Sequence, residues 1–163
     1  IAQSEAAPAG SSSAGTPASL TLGRFLQRHG SITRGGSALA SVLSAEIAYS
    51  NNLDAVEAVR ADGKLDGLDP TQAMLTVRLR LRFDSQTLLT QATNGTAAAF
   101  VFTLTRAANQ TLTFSVPRLF LSRPRIEIEG PRGIDVSFEG MAAQQADGSA
   151  MLTATLVNGV DPY

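Results

Sequence analysis

The clearest pattern in the chain is the alternation of apolar and charged residues between Met74 and Phe83. Its apolar positions are Val77, Leu79, Leu81 and Phe83, and its charged positions are Arg78, Arg80 and Arg82. Because successive side chains of a strand leave opposite faces, this period of two predicts a half-buried β-strand. Three guanidinium groups about 7 Å apart on one face repel one another unless acidic groups lie nearby. The pattern therefore predicts both a strand and an acidic surface beside it.

The same alternation, in weaker form, predicts strands along most of the remaining chain. The expected strands span 37–50, 97–106, 111–121, 125–129, 133–140 and 151–157, with irregular structure or a short strand over 21–27. Pro117 interrupts the alternation within 111–121 and predicts a bulge, since proline cannot donate to a sheet ladder. The connections mostly have the length of hairpins, so we expect the strands to pair antiparallel.

Two segments between the first predicted strands are expected to form a helix and a loop. Asn52 is a favoured cap residue, and Leu53, Val56 and Val59 fall on one face of a short helix after it. Residues 62–70 contain two Asp-Gly pairs and end in proline, so they are expected to form a loop.

A second short helix is expected over 86–93. Asp84 or Ser85 would cap its start, and Gly95 would end it. Its inward residues are expected to be Leu88, Leu89 and Ala92.

These elements give one mainly β domain over 21–163, with the architecture of an antiparallel β-sandwich or open barrel carrying one short helix. A chain of 163 residues can bury an ordinary core without help from a metal or a disulfide. Residues 1–20 are rich in Ala, Ser, Gly and Pro, so we expect a flexible or extended arm. Because the chain begins at Ile1, we also expect residues upstream of it.

Acidic residues that could face the arginines lie near the C-terminus. They occupy the polar side of two predicted strands: Glu127, Glu129, Asp135 and Glu139. If these strands lie beside residues 77–83, in the same subunit or in the next one, the carboxylates and the arginines form a cross-strand ladder. Each exposed pair contributes less than about 1 kcal/mol, so such a ladder would fix strand register more than it stabilises the fold. The alternative is a solvated strand face with no further role.

Composition and motifs exclude several classes of chemistry. The formal net charge of −1 gives no bulk attraction to nucleic acid or to an anionic membrane, and the sequence contains no cysteine. His29 is the only histidine, so a triad or a histidine-based metal site would depend on it alone, and we expect a solvated loop residue. The sequence has neither a phosphate-binding loop nor a nucleophile elbow. We therefore expect no catalytic residue, no metal and no cofactor.

Three kinds of binding are also disfavoured by the sequence. Asp62, Asp66 and Asp69 are clustered, but their spacing departs from that of a calcium loop. Nucleic-acid-binding sheets place aromatic residues among basic ones, whereas Phe83 falls on the leucine side of its strand. No apolar run approaches the roughly 20 residues of a membrane helix.

The C-terminal part of the chain resembles a known protein family. Its two final alternating segments read Gly133-Ile-Asp-Val-Ser-Phe-Glu-Gly-Met-Ala-Ala and Ala150-Met-Leu-Thr-Ala-Thr-Leu-Val-Asn. They follow a long loop, a long strand, a short helix and a hairpin rich in phenylalanine. This order and this ending resemble the tail tube proteins of long, flexible-tailed bacteriophages (siphophages), over about residues 20–158. The arm at 1–20 lies outside the resemblance.

The resemblance implies a structural virion protein without catalysis, assembled in the host cytoplasm. In that family, subunits close hexameric rings with a continuous inner β-barrel, and the rings stack with other tail proteins into a conduit through which DNA passes without specific binding. No membrane is involved. The implied inner-sheet strands are 75–83, 125–129, 133–140 and 151–157. The candidate face toward the lumen or a neighbouring subunit comprises Arg78, Arg80, Arg82, Glu127, Glu129, Asp135 and Glu139. The loop 51–72 and the arm become candidate contacts between subunits or rings, and the candidate loop residues are Asn52, Asp62, Lys64, Asp66 and Asp69.

A different class of function is compatible with the same strands. A cell-surface or pilus-type β-sandwich binding module would use the arm as a linker or a donor strand. The two hypotheses differ in oligomeric state, since a tube subunit assembles into rings or filaments and a binding module stays monomeric.

Overall fold

The structure is built mainly from β-strands that follow one another closely along the chain. It is a computed structural model, and it describes residues 23–56, 67–83, 86–126 and 133–159. A 3₁₀ turn over Gln27–His29 precedes the first strand. The remaining elements are β1 (Gly30–Arg34), β2 (Ser37–Ala38), β3 (Val42–Ser50), β4 (Leu53–Val56), β5 (Gly67–Pro70), β6 (Met74–Arg82), α1 (Thr87–Asn94), β7 (Ala98–Ala107), β8 (Gln110–Leu121), β9 (Asp135–Ala142) and β10 (Thr153–Val157).

Eight of these strands form one sheet, and all of its pairings are antiparallel. The order across the sheet is β2-β1-β7-β8-β9-β6-β3, with β10 paired to β8. Strands β4 and β5 form a separate two-stranded hairpin. The predictions of a mainly β fold, of antiparallel pairing and of a helix in the 86–93 region are confirmed.

Strand β8 carries three partners because it is long enough to be shared. One of its edges pairs with β7, while the other pairs with β10 over 111–115 and with β9 over 119–121. Ala98 pairs with Leu119 but Phe100 pairs with Val116, so β8 has one extra residue next to Pro117. A bulge places the proline where its missing N–H leaves no ladder bond unmade. The predicted bulge is confirmed.

A single hydrophobic core joins strands from both halves of the sheet. Phe100, Phe138 and Leu79 are among its fully buried side chains, although their strands β7, β9 and β6 are not all neighbours. Residues of β1 and β3, which lie near opposite ends of the strand order, line one groove, so the sheet curls until its ends approach each other, as in an open barrel. On β6 the buried residues are Leu75, Val77, Leu79 and Leu81, in the predicted alternation with polar positions.

Helix α1 closes the core near β8. Leu88 and Ala92 are buried as predicted, whereas Leu89 is half-buried. Gly95 ends the helix in the left-handed region, with φ of 61°, which glycine adopts without a Cβ penalty. The proposed caps Asp84 and Ser85 lie outside the described residues.

Two predictions made between β3 and β6 are wrong. Residues 53–56 form a strand and not a helix, and residues 67–70 form its partner and not a loop. The two segments pair with each other, and the hydrogen bonds between them satisfy the backbone of both. This pairing could not be predicted from helical propensity or from Pro70, because both of these are local signals. Asn52 has φ of 45° and therefore does not cap a helix.

Other boundaries also differ from the expected ones. Residues 23–26 are irregular, which is one of the two alternatives expected for 21–27, and the first strand lies at Gly30–Arg34. The expected strand 37–50 is divided into β2 and β3. Arg125 and Ile126 are not in a strand, and the rest of the expected strand 125–129 lies outside the described residues. The arm predicted for 1–20 lies there as well.

Candidate assembly surfaces

The polar face of β6 lies between two strands that continue it on either side. Strand β9 pairs with one edge of β6 and strand β3 with the other. The register of these pairings places three acidic residues beside the three arginines. We call this set the charged ladder: Glu46, Arg78, Arg80, Arg82, Asp135 and Glu139.

Two ion pairs are formed across the β6–β9 boundary within one chain. Arg78 lies directly opposite Glu139, and its Nε donates to Glu139 Oε1 at 3.1 Å. Arg80 lies opposite Ser137, so it reaches diagonally to Asp135, with an Nη2 to Oδ2 distance of 3.0 Å. Both side chains of the first pair are 67% exposed, so each pair contributes less than about 1 kcal/mol. The pairs favour one register of β6 on β9.

Glu46 is a ladder residue that sequence reasoning missed. It lies on β3 directly opposite Arg78, which therefore has a glutamate on each neighbouring strand. The sequence signal was the alternation of 37–50, but nothing in that alternation indicated that β3 and β6 are neighbours. The third arginine, Arg82, is opposite Asp135 and packs so closely on Gly133 that a Cβ at Gly133 would clash with its guanidinium.

The structure thus places five of the predicted face residues together and leaves two untested. Glu127 and Glu129 lie outside the described residues. Among the described ladder residues, three guanidinium groups face three carboxylates, so the formal charges of the three strands cancel. Whether this face lines a lumen or meets another subunit remains a prediction.

The β4–β5 hairpin has two chemically different faces. Leu53 pairs with Pro70 and Ala55 with Leu68, which puts four apolar side chains on one face. Asp54 lies directly opposite Asp69 on the other face, where like charges are unfavourable. Leu53 and Leu68 are more than half exposed, at 51% and 56%. A two-stranded hairpin with an uncovered apolar face is marginal in water, so this face is suited to contact with another surface.

Asn52 joins the hairpin to the main sheet. Its Nδ2 donates to the Gln72 carbonyl at 2.9 Å, and the Thr71 hydroxyl donates to the Asn52 carbonyl. The Ser50 hydroxyl donates to Asn52 Oδ1 at 2.7 Å. These bonds hold the turn at the base of the hairpin in place of continued strand pairing. Of the other predicted loop residues, Asp69 lies in β5, while Asp62, Lys64 and Asp66 lie outside the described residues.

An open apolar groove lies on the inner side of β3. Its volume is about 720 Å³, and its walls come from β1, β3, β7 and β8. Ile47, Phe102 and Phe114 lie on these walls, with Leu152 from the segment before β10. Strand β3 ends the order of the sheet, so one of its two edges has no strand partner among the described residues. Gln27 donates a side-chain hydrogen bond of 3.4 Å to the Leu43 carbonyl at the rim.

The remaining polar side chains of interest lie apart from the ladder and the hairpin. No group of three or more His, Cys, Asp or Glu residues that could hold a metal occurs in the part of the chain that the structure describes. His29 is not a plain loop residue as predicted, because its Nδ1 accepts a 3.0 Å hydrogen bond from the Leu26 N–H in the 3₁₀ turn.

The Ser149 N–H donates to the Asp147 carboxylate at 2.9 Å and lowers the pKa of that exposed group. Within the described residues, α1 is too short and polar to span a membrane.

Solved structures with this fold come from tube assemblies. The sheath/tube terminator of an extracellular contractile injection system (PVC, extended state) matches with a TM-score of 0.62 and 15% identity, covering 83% of this chain and 99% of that chain. The tube-terminating cap of the anti-feeding prophage matches with a TM-score of 0.61 and 15% identity, covering 91% and 100%. The SPP1 tail tube protein matches with a TM-score of 0.56 and 11% identity, covering 82% and 81%. The chain therefore has the fold of tube-type tail subunits.

A sequence match then assigns the family. A family model described as phage tail tube protein matches residues 1–142, which is most of the chain, and the chain belongs to that family. No curated protein matches it. The predicted resemblance is thus confirmed for tail tubes in general. The match includes residues 1–20, which were expected to lie outside the resemblance, and it ends before the final segment 150–158. The solved structures include contractile systems as well as the SPP1 tail tube, so they do not distinguish the siphophage group.

Proposed function

We propose that this chain is the structural subunit of a phage tail tube, closing hexameric rings that stack, with other tail proteins, into a conduit for the genome. The observation that carries the proposal is the three-stranded layer β3-β6-β9. Its face toward the core is apolar, and its opposite face carries the charge-balanced ladder. A wall of this kind suits a pore, because it has a packed side and a wetted side. Membership in the tail tube family supports a role as a tube subunit. The role as a genome conduit, the location in the virion and the absence of catalysis are part of the proposal.

The ladder supports an orientation toward the lumen more than toward a neighbouring subunit. Both observed ion pairs are satisfied within one chain, so Arg78 and Arg80 need no carboxylate from another copy. A balanced wall would neither attract nor repel DNA strongly, which suits passage without specific binding. In this proposal β3, β6 and β9 form the inner sheet.

Contacts between copies would use the unpaired surfaces. Among the described residues, the edge of β3 away from β6 has no strand partner and so offers backbone hydrogen bonds to another chain, and the groove beside it offers apolar side chains. The apolar face of the β4–β5 hairpin is the complementary protruding feature. Because these surfaces differ from one another, their contact is heterologous, and a heterologous contact produces rings or filaments. We assign the hairpin, with Asn52 at its base, to contacts between subunits or between rings.

We also propose that the tail is long and flexible. The support is the resemblance of the ending, from Gly133 to Asn158, to siphophage tube proteins. A contractile tail would require a sheath protein around the same tube. Electron microscopy of particles carrying this chain would separate the two, since only a contractile tail shows a sheath that shortens.

The test of the main proposal is assembly of the purified full chain. Negative-stain electron microscopy at increasing concentration should show hollow tubes or rings with six-fold end views, and native mass spectrometry should show a hexamer. A chain that stays strictly monomeric at high concentration would contradict the proposal and favour a binding module.

A further inference from the structure

We propose that the carboxylates of the charged ladder mask a latent nucleic-acid-binding surface formed by Arg78, Arg80 and Arg82. Without Glu46, Asp135 and Glu139, these arginines would hold the phosphate backbone of DNA. The biological setting, a wall along which DNA slides, rests on the proposed function. The masking does not depend on assembly, because the carboxylates and the arginines belong to the same chain.

The arginines have the placement that phosphate binding requires. They alternate along β6 and leave the same face of the strand, about 7 Å apart. All three side chains are exposed, with Arg78 at 67% and Arg80 at 58%. Guanidinium groups are weakly hydrated and bind phosphate oxygens in a bidentate manner. A row of three on an open strand face is therefore accessible to a polyanion.

The carboxylates are placed to cancel this attraction. Each described ion pair has its opposite charges about 3 Å apart, so beyond the Debye length of about 8 Å it acts as a weak dipole. Glu46 adds a second carboxylate beside Arg78 from β3.

The latent surface would bind the backbone and not the bases. Between the arginines, the polar face of β3, β6 and β9 carries residues without aromatic rings: Ser44, Ala48, Thr76, Ser137 and Met141. Without aromatic stacking partners, contacts reach phosphate only and are independent of sequence. Unmasked binding should consequently depend steeply on salt.

The experiment compares two neutralised variants of the full chain below its assembly concentration. The unmasked variant carries Glu46→Gln, Asp135→Asn and Glu139→Gln. The control variant carries Asp54→Asn, Asp69→Asn and Asp147→Asn, which gives the same net charge but leaves the ladder intact. Fluorescence anisotropy with a labelled DNA duplex measures the affinity of each, and circular dichroism confirms that both are folded.

We expect the unmasked variant to bind DNA at least tenfold more tightly than the parent and the control. With about three phosphate contacts, its affinity should fall by about 40-fold between 50 and 200 mM salt.

Equal binding by both variants would show that net charge alone determines DNA affinity and would overturn the masking proposal. An unmasked variant that does not bind DNA would overturn it as well. Adding Arg78→Gln, Arg80→Gln and Arg82→Gln to the unmasked variant should abolish binding, and persistent binding would also contradict the proposal. Because the assay uses unassembled chains, failure of the parent to form tubes would count against the proposed function alone.

Discussion

At the scale of single residues, the most informative position is a buried amide. Gln91 on α1 is 4% exposed, accepts a hydrogen bond from Arg34 Nε on β1, and donates to the Leu119 carbonyl on β8 at 3.5 Å. No buried side-chain polar atom among the described residues lacks a hydrogen-bond partner. Gln91 therefore links the helix to two strands of the sheet, a role that the sequence did not indicate because glutamine is usually exposed.

Replacing this amide should destabilise the fold without changing its surface. Gln91→Leu leaves the Arg34 donor and the Leu119 carbonyl without their partner, so the free energy of unfolding should fall by about 1–3 kcal/mol. Urea unfolding would measure this change. Thr90→Ala, at the preceding and exposed position of α1, is the control and should change it by less than about 0.5 kcal/mol. Equal effects of the two substitutions would remove the link inferred for Gln91.

Asn52 provides a second prediction, about the base of the hairpin. Both substitutions remove the side-chain hydrogen bonds of Asn52, but Asn52→Gly also removes the Cβ that is strained at a φ of 45°, whereas Asn52→Ala keeps it. The alanine variant should therefore be less stable than the glycine variant by about 1–2 kcal/mol. Amide hydrogen exchange of β4 and β5 is the suitable measurement, because the hairpin can open locally. Identical exchange in both variants would show that this backbone conformation does not hold the hairpin.

At the scale of elements, the sequence predicted those strands in which apolar and polar residues alternate. Strands β6 and β9 were placed to within about two residues because one face of each is buried, and burial requires a period of two. Strand β10 is exposed along its length, but it was found equally closely because Thr153 and Thr155 still alternate with Ala154 and Leu156. The hairpin was missed because its strands are exposed and only four residues long, and because Gly67 and Pro70 are typical of a loop. Likewise, the acidic partners on β9 were found from their alternation. Glu46 was missed because strand order is a tertiary property.

The exposed hairpin gives an element-scale prediction about assembly. Leu68→Ser removes an exposed apolar side chain that is not part of the core. The folded chain should therefore keep its stability while tube formation weakens. Val56→Ser replaces an apolar side chain on the opposite face of the hairpin and serves as the control. Because Val56 is half-buried, its assembly is compared at a temperature at which thermal unfolding shows both variants to be folded. Sedimentation of tubes, read with thermal unfolding of the unassembled chain, measures both effects. Unimpaired assembly of the Leu68 variant would exclude this face as a contact.

At the scale of the whole molecule, the main question is which way the charged ladder faces. Arg80→Glu reverses one charge and places a second carboxylate beside Asp135, at a cost below about 1 kcal/mol in such an exposed setting. Because Arg80 is paired within its own chain, we expect rings and tubes to form at the yield of the parent. Electron microscopy and native mass spectrometry provide the measurement. A folded variant that no longer assembles would place the ladder between subunits instead of on the lumen.

The free edge of β3 also affects the chain before it assembles. Alternate residues of Val42–Ser50 present backbone donors and acceptors at the edge away from β6, which has no strand partner among the described residues. Such an edge is a template for strand addition by any extended chain, including a misregistered copy of the same protein. Glu46 and the irregular pairing between Val42 and Ser44 are features that discourage this addition. The geometry that permits orderly polymerisation therefore also makes the free subunit prone to aggregation, and purification should succeed best at low concentration.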